Sequence, residues 1–385
     1  MVGRDLFRLL QCPTCGSRSL AVLEGAVLCG DCRTEYPIHA GYIDLMPRHT
    51  EFDYISKYVS EEEHMGEELD YRAMAPPLLA AGVRHRQIRR MLQLTPADVV
   101  FDNACGNGRF GLWNADAARL IVGSDPAVLF ADQALAEMTL AQADSRRLPF
   151  VDGAFDKALS VDVLEHFPRD VIHDYLLETA RVLRPGGRVA IFSNTKEMSP
   201  IQPLINVSKR LGRFFVKRGV YDFDREARRK SDHIKALETW DDVEVALVEA
   251  GLKPIKVVYW NSLFTSFVEH VLMKLGEAII VQSRKTKRGI RNQESGIRNR
   301  ESGISADELG TNASAGAQRE IVARRAMRRY LTPRSPIYWA LYLVTLLMEL
   351  DVWLFGWMRT GPYFVLAEKA AGRYLPAALP REDNP

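Results

Sequence analysis

Residues 100–111 have the sequence VFDNACGNGRFG, in which an apolar run leads into a glycine-rich turn. Gly106 and Gly108 would let the backbone approach a ligand closely, and a helix starting after the turn would offer free N–H donors. Dinucleotide sites require the pattern GxGxxG together with its phosphate-binding context, and that context is missing here. The stretch therefore predicts a ligand-binding loop at the end of a strand, and the missing context argues against NAD.

Apolar strand-like runs alternate with helical runs around this turn, from residue 97 to about residue 196. The alternation predicts an α/β fold, in which a Rossmann-like, mostly parallel sheet carries helices on both faces. The predicted strands are residues 99–103, 120–125, 140–144, 157–161 and 188–193, and the predicted helices between some of them are residues 127–136 and 171–183.

Polar residues follow several of these strands at the point where each strand ends. Asp125 ends the second strand and suits a ribose diol, whereas Asp144, next to Ser145, ends the third and suits an exocyclic amine. The fourth strand runs into Asp162 and, four residues later, His166. A single acid of this kind is commonly a helix cap or a solvated turn residue. Ligands of open α/β sheets bind at these carboxyl ends, however, so the series predicts one shared ligand site.

Composition excludes several classes of protein. Of the 385 residues, 47% are hydrophobic and 26% are charged, which excludes a wholly disordered chain and a collagen-like repeat. Lys and Arg number 51 against 49 Asp and Glu, so the net charge of +2 indicates no global affinity for polyanions. The length allows two or three domains. Because the N-terminal sequence MVGRDLFRLLQCPTCG has no apolar signal segment, we expect a cytoplasmic protein.

Residues 97–195 resemble the class I S-adenosylmethionine-dependent methyltransferases, in the branch that methylates small molecules. The resemblance rests on the motifs FDNACGNGRFG, GSDPA, ADSRRLPF, FDKALSVDVLEHF and RVLRPGG. It implies S-adenosyl-L-methionine as the cofactor, with the glycine-rich loop around its methionine part, Asp125 on its ribose, and Asp144 and Ser145 beside its adenine. Ala104 stands where the family usually has the first glycine of the loop. The implied cofactor-binding residues are Asp102, Ala104, Cys105, Gly106, Asn107, Gly108, Asp125, Pro126, Asp144, Ser145, Ser160 and Val161.

Four of the five cysteines form two CxxC pairs, Cys12 with Cys15 and Cys29 with Cys32. Two such turns suit a tetrahedral zinc ion, and four thiolate ligands leave no open position for catalysis, so we predict a structural Zn²⁺ site. Unmetallated turns or a redox CxxC are the alternatives. The sequence TEYPIHAGYIDLMP that follows resembles the zinc-ribbon activator subunits of tRNA and rRNA methyltransferases.

The methyl acceptor is not indicated by the motifs. A sulfonium is already an activated electrophile, but an oxygen acceptor would gain from a general base. His166 and His233 are the candidate bases and Asn194 is a candidate polar contact, and the sequence does not choose among these three catalytic candidates. Either histidine also fits a structural or solvent-exposed position.

We predict a small-molecule, glycan or lipid-intermediate acceptor. The alternative is an rRNA or tRNA methyltransferase, since zinc ribbons also precede such domains. The fourth cysteine in place of a histidine ligand and the small net charge make nucleic acid the less favoured partner. A non-catalytic cofactor-binding scaffold is the third reading, and the intact acids at the strand ends argue against it.

The chain divides into five predicted parts. They are a zinc ribbon (1–50), a helical linker (51–95), a methyltransferase core (96–282) with an insertion at about 199–230, a disordered low-complexity insertion (283–330), and a C-terminal amphipathic helix with an edge strand that completes the core (331–375).

Residues 207–217 and 337–358 interleave bulky apolar side chains with flanking Arg and Lys. This pattern predicts peripheral contact with the inner face of a membrane, and the alternative for 337–358 is a core helix. Glu349 and Asp351 argue against a membrane span there, because acids are costly in hydrocarbon. The oligomeric state is not indicated.

Overall fold

The computed structural model describes residues 4–48, 74–216, 233–272 and 331–370. Most of the predicted linker, residues 217–230 of the predicted insertion, the low-complexity segment and the last fifteen residues lie outside the described residues. The described strands are β1 (Leu20–Leu23), β2 (Ala26–Cys29), β3 (Glu35–His39), β4 (Tyr42–Asp44), β5 (Val99–Asn103), β6 (Leu120–Asp125), β7 (Thr139–Gln142), β8 (Phe155–Val161), β9 (Leu183–Asn194), β10 (Leu252–Tyr259) and β11 (Pro362–Lys369).

These strands form one sheet in the order β1-β2-β3-β4-β7-β6-β5-β8-β9-β11-β10. Neighbours from β4 to β9 pair in parallel, and the strand order reverses between β5 and β8. The predicted fold class, a Rossmann-like and mostly parallel sheet, is confirmed. In such a sheet the crevice at the reversal is the usual ligand site, and it opens at the carboxyl ends of the strands.

Helices cover both faces of the sheet, as predicted. The described helices are α1 (Arg4–Phe7), α2 (Leu79–Leu92), α3 (Arg109–Leu112), α4 (Asp132–Glu137), α5 (Arg169–Val182), α6 (Gln202–Val216), α7 (Trp240–Glu249), α8 (Leu263–Phe267) and α9 (Pro336–Phe355).

Alternation of side chains along the strands produces the two cores. All five residues of β5 are buried. Val99 and Phe101 lie in the core that includes α5 and α7, whereas Val100 lies in the opposite core with α2 and α9. Because successive side chains point to opposite faces and both faces are covered, the first three residues of β5 are all apolar.

The position of the last strand differs from the prediction. β11 lies between β9 and β10 and pairs antiparallel with both, so β10 and not β11 is the edge strand. Five successive residues, 363–367, are buried, as expected of an interior strand. β10 carries Pro254 beside a register shift and exposes Lys253 and Lys256. Proline lacks an N–H donor and is tolerated at a sheet edge. Pro254 and the two lysines therefore indicated in the sequence that β10 is the edge strand.

The N-terminal unit extends the same sheet. β4 pairs in parallel with β7, and the amide of Leu45 donates to the carbonyl of Gln142 at 2.8 Å. A second connection runs through Gln11, whose amide donates to the carbonyl of Pro149 at 2.9 Å. Tyr36 and Ile43 are fully buried in the same core as Phe101. The unit therefore covers the edge that β7 would otherwise expose.

The sequence predicted an ordinary amphipathic helix at the C-terminal end of the chain. Helix α9 differs from that prediction. Among the described residues, α9 is the one helix that is long and apolar enough to cross a membrane. Only 28% of its most apolar 18-residue stretch is buried. Its buried side includes Thr345, Glu349 and Asp351, and its exposed side is apolar. α9 packs mainly on α2 and α8, and Met348 and Val352 on its buried side belong to the core that includes Val100.

Candidate functional site

The glycine-rich loop after β5 has left-handed backbone at Ala104 (φ 59°), Gly106 (φ 55°) and Gly108 (φ 80°). A Cβ atom on Gly108 would lie 2.8 Å from the Cβ of Ala134, so both packing and backbone favour glycine there. A Cβ on Gly106 would meet no atom within 4 Å, so this part of the loop faces open space. Asn107 lies between the two glycines, and its carbonyl accepts a hydrogen bond from Ala131 at 3.1 Å. Packing at Gly108 and the hydrogen bond at Asn107 hold one side of the loop, and the side at Gly106 is open.

Asp125, at the end of β6, holds this loop in place. One carboxylate oxygen accepts the amide N–H of Gly106 at 2.8 Å, and the other accepts that of Ala127 at 2.9 Å. The adjacent Pro126 carbonyl accepts from the side chain of Gln142 at 3.0 Å. The Asp125 carboxylate thereby joins the glycine-rich loop to the end of β6, and the Pro126 carbonyl joins that end to β7.

Asp144 and Ser145 lie just beyond β7. The Asp144 carboxylate forms an ion pair with Arg146 at 2.9 Å, and both Asp144 and Ser145 are buried. The hydroxyl of Ser145 is buried and has no hydrogen-bond partner among the described residues. Because buried polar groups are normally paired, this hydroxyl and the open face of Gly106 suit a polar ligand such as a nucleoside cofactor.

Two of the predicted cofactor residues direct their side chains elsewhere. Cys105 packs against Gly123 and Leu140, so it fills a gap below the loop. Ser160 is fully buried, and its hydroxyl lies 2.7 Å from the hydroxyl of Tyr175. Only the backbones of Cys105 and Ser160 remain to line a ligand, whereas Val161, at the end of β8, is half-buried.

Asp102 lies beneath the loop, where its carboxylate accepts the amide N–H of Gly111 at 3.0 Å. Burial raises the pKa of Asp102 to about 7, opposed by the Gly111 hydrogen bond, while the negative charge of Asp125 adds to the rise. Burial favours the neutral form of a carboxyl group, so this residue holds a proton that an exposed aspartate would release.

We expect Asp102→Asn to remove a pH dependence of stability. Between about pH 4 and pH 7 the unfolded chain loses the Asp102 proton while the folded protein keeps it, so the free energy of unfolding falls as pH rises. The slope from this one group is at most about 1.4 kcal/mol per pH unit. Urea unfolding from pH 4.5 to pH 8 should give a flatter curve for Asp102→Asn, with higher stability at pH 8. Parallel curves for the two proteins would contradict the assignment.

The three catalytic candidates come together at the ends of β8 and β9. The rings of His166 and His233 lie 4.8 Å apart and perpendicular. Glu165 lies between the two strand ends: its carboxylate accepts from Ser193 at 2.6 Å and from the side chain of Asn194 at 3.2 Å. The side-chain atoms of Glu165, His166 and His233 that could bind a metal ion all lie within 4.8 Å of one another.

Glu165 was not among the site residues predicted from the sequence. Burial raises its pKa, and the nearby charge of Asp162 adds to the rise. A backbone hydrogen bond from Lys235 to the Glu165 carbonyl, 3.0 Å long, brings the segment of His233 over the strand ends. The signal available in the sequence was the acid immediately before His166.

Arg84 was not among the predicted site residues, and Asp162 was noted only as a polar residue at the end of its strand, with no role assigned to it. Asp162 follows β8 with a left-handed backbone (φ 61°), and it forms an ion pair with Arg84 of α2. Ala104 and Asp162 are thus strained non-glycine residues at the ends of the two central strands, β5 and β8. Such strain persists where the surroundings hold it and is common at functional sites.

The four cysteines gather at one end of the N-terminal unit. The sulfur atoms of Cys12 and Cys32 lie 3.6 Å apart, as do those of Cys15 and Cys29, and all four lie within 4.8 Å of one another. A tetrahedral ion with Zn–S bonds of about 2.3 Å requires sulfur atoms about 3.8 Å apart. The Tyr36 hydroxyl, 3.1 Å from the sulfur of Cys12, can donate to a thiolate there. The donor set and its spacing fit a structural metal ion.

Comparison with known proteins agrees with the loop and strand-end geometry. The family model described as "Methyltransferase domain" matches residues 101–191. This part of the chain is therefore similar to a methyltransferase domain. It contains β5 to β8, most of β9, and the loops that hold Asp125, Asp144 and His166.

Two curated proteins described as methyltransferases are similar to part of the chain. The chain is 32% identical over 127 residues to methyltransferase GfsG of Streptomyces halstedii, covering 30% of this chain and 45% of that protein. It is 36% identical over 108 residues to demethylmenaquinone methyltransferase of Mycolicibacterium vanbaalenii, covering 28% and 46%. The chain thus spans about half the length of these relatives.

A solved structure, phosphoethanolamine N-methyltransferase 2 of Haemonchus contortus with S-adenosyl-L-methionine, is similar over 82% of this chain and 60% of that one. The sequence identity is 14% and the TM-score is 0.44.

Proposed function

We propose that the protein is an S-adenosyl-L-methionine-dependent methyltransferase whose acceptor is a small molecule, a glycan or a lipid intermediate. One observation carries the proposal: at the carboxyl ends of three adjacent strands, an open glycine-rich loop lies beside Asp125, Asp144 and the unpartnered Ser145 hydroxyl. A carboxylate and polar groups at these strand ends suit a nucleoside with a ribose diol. The match of residues 101–191 to a methyltransferase domain supports the same function.

The residues of the methyltransferase domain have separate binding roles. The loop 104–108 would surround the amino-acid part of the cofactor, Asp125 would accept from the ribose hydroxyls, and Ser145 with Asp144 would contact the base. When bound, the cofactor supplies a methyl group on a sulfonium, which is already a good electrophile. Asp125 keeps the loop in position through the amide of Gly106, so this site is organised before a ligand binds.

The cluster of Glu165, His166, His233 and Asn194 would receive the acceptor. Glu165 accepts hydrogen bonds from Ser193 and Asn194 and thereby joins the ends of β8 and β9. His166 would take a proton from an acceptor hydroxyl, because a hydroxyl becomes a good nucleophile only when it is deprotonated. His233, against the ring of His166, would orient it and cover the site.

We expect His166→Gln to lower kcat for an oxygen acceptor by at least about 100-fold, the usual contribution of a general base, with little change in cofactor affinity. The measurement is steady-state methyl transfer together with the dissociation constant of the cofactor. His173→Gln is the matched control, since His173 is exposed on α5. A kcat near that of the wild type would show that His166 is not the general base.

We further propose that the four cysteines form a structural zinc ribbon and that the protein is cytoplasmic. The closed set of four sulfur ligands supports a structural role. Thiolate ligands persist in reducing compartments, which supports the location.

The test of the proposed function is transfer of a radiolabelled methyl group into an extract of the host cells, followed by fractionation. Label in the organic-soluble or polar small-molecule fraction is the expected result. Label that ribonuclease removes would favour an RNA acceptor. Absence of transfer by a protein that binds the cofactor would contradict a catalytic role.

A further inference from the structure

Helix α9 buries its two acids and Thr345 together with Met348 and Val352, and the large side chains that it exposes are all apolar. Trp353 and Trp357 are each 78% exposed, and Leu343 is 64% exposed. Trp339, Leu343, Leu346 and Trp353 are exposed at helical spacing, so they form a stripe about 21 Å long on α9, and Trp357 follows just after the helix. Soluble proteins rarely leave so long an apolar stripe uncovered.

The two acids of α9 are paired within the protein. Glu349 forms ion pairs with Arg86, at 3.1 Å, and with Arg90, both on α2. Asp351 accepts the backbone N–H groups of Phe264 and Thr265, each at 2.7 Å, and so caps the start of α8. Neither carboxylate therefore faces outward, and the cost that acids would impose in contact with lipid does not arise here.

The apolar surface continues onto two further helices. Helix α8 contacts both α9 and α6, and it exposes Phe267. Helix α6 exposes Leu204, Val207 and Leu211 at spacings of three and four residues, which is one side of a helix. We call the exposed apolar side chains of these three helices the apolar face.

The charges beside the apolar face are mainly positive. Lys209 and exposed Arg210 lie on α6, and exposed Arg334 lies two residues before α9. Glu269, just after α8, is an exposed acid. This excess of cations complements an anionic surface.

We propose that the apolar face binds the surface of an anionic lipid bilayer, with α9 lying along the interface and not crossing it. The exposed tryptophans of the apolar face, Trp339 and Trp353 on α9 and Trp357 just after it, are typical of a helix that lies in the membrane–water interface. A crossing would separate Glu349 from Arg86 and Arg90 and expose both acids to hydrocarbon. A second copy of the chain would bring like charges together, whereas anionic lipid would neutralise them. The inference does not rest on the proposed function, although membrane binding would bring a lipid acceptor to the enzyme.

The experiment is flotation of the full-length protein with vesicles of phosphatidylcholine alone or of phosphatidylcholine with about 30% of the anionic lipid phosphatidylglycerol. We expect the wild type to float with the anionic vesicles, and to do so less in high salt. The triple variant Leu343→Ser, Trp353→Ser, Trp357→Ser should float at least about tenfold less. The control triple variant Val22→Ser, Leu177→Ser, Val245→Ser replaces exposed apolar residues outside the apolar face and should float like the wild type.

Melting temperature and cofactor affinity of each variant establish that it is folded. A wild type that stays at the bottom with both kinds of vesicle overturns the proposal, as does a folded α9 variant that floats normally. If the wild type stays at the bottom and the α9 substitutions halve its mass in solution, the apolar face binds a second copy instead. Methyl transfer to a soluble acceptor would be retained in each case, so failure here is distinguishable from failure of the proposed function.

Discussion

Asp125→Ala is expected to lower the affinity for S-adenosyl-L-methionine by at least about 100-fold. The substitution removes a charged acceptor for the ribose hydroxyls, and hydrogen bonds to charged groups contribute about 1.5–3 kcal/mol each. It also removes the acceptor of the Gly106 and Ala127 amides, which hold the loop against β6. Loss of both effects at once makes this the most damaging single change in the cofactor site. Isothermal titration with the cofactor measures it.

Two further variants separate the two effects of Asp125. Asp125→Asn keeps the shape but has one acceptor oxygen for two backbone amides, so we expect an intermediate loss of affinity. Asp116→Ala removes an exposed carboxylate on the neighbouring loop, with 80% of its side chain accessible, and should bind the cofactor like the wild type. Full affinity in Asp125→Ala would overturn the site assignment. Its zinc content should stay at the wild-type value.

Cys29→Ser is expected to release the metal and to destabilise the whole protein, by about 4 kcal/mol or more. Cys29 and Cys12 are fully buried, in the same core as Phe101 of the central sheet. The ribbon also supplies β4, which covers the edge of β7. Loss of the metal therefore exposes a sheet edge and part of the main core. Metal content by mass spectrometry and the midpoint of urea unfolding report the two consequences.

Cys105→Ala is the matched control for this experiment. Cys105 is buried too, but it packs under the glycine-rich loop, away from the four clustered cysteines. We expect it to keep one metal ion per chain and to lose only about 1 kcal/mol from the small cavity. An unchanged melting temperature and metal content in Cys29→Ser would refute the zinc ribbon.

The local pattern was sufficient to predict the strands that bear the site. The predicted bounds of β5 and β6 agree with the structure to the residue, and β7 to β9 differ by one to five residues at their ends. Short apolar runs between turn residues have few other conformations available, which explains the agreement. The place of β11 was predicted wrongly, because pairing between strands far apart in sequence depends on the whole sheet and not on the strand itself.

The candidate site was predictable to a smaller extent. Asp125, Asp144 and the loop share one edge because parallel strands place their carboxyl ends together. Glu165 could not be distinguished from a solvated acid until the chain brought Ser193, Asn194 and Lys235 to it. Arg84 reaches Asp162 from 78 residues away in the sequence, a separation that no local pattern encodes.

The sequence by itself determined the alternation of strands and helices, the glycine-rich loop and the paired CxxC turns. Each of these follows from interactions between residues close together in the chain. Tertiary structure alone decided which side of α9 faces the protein, because its residues are apolar nearly all round. The ion pairs of Glu349 with α2 and the capping of α8 by Asp351 orient the helix, since a buried carboxylate must find partners and an apolar side chain need not. These interactions fix one side of α9 against the protein, and the apolar side chains on its other side are exposed as a result.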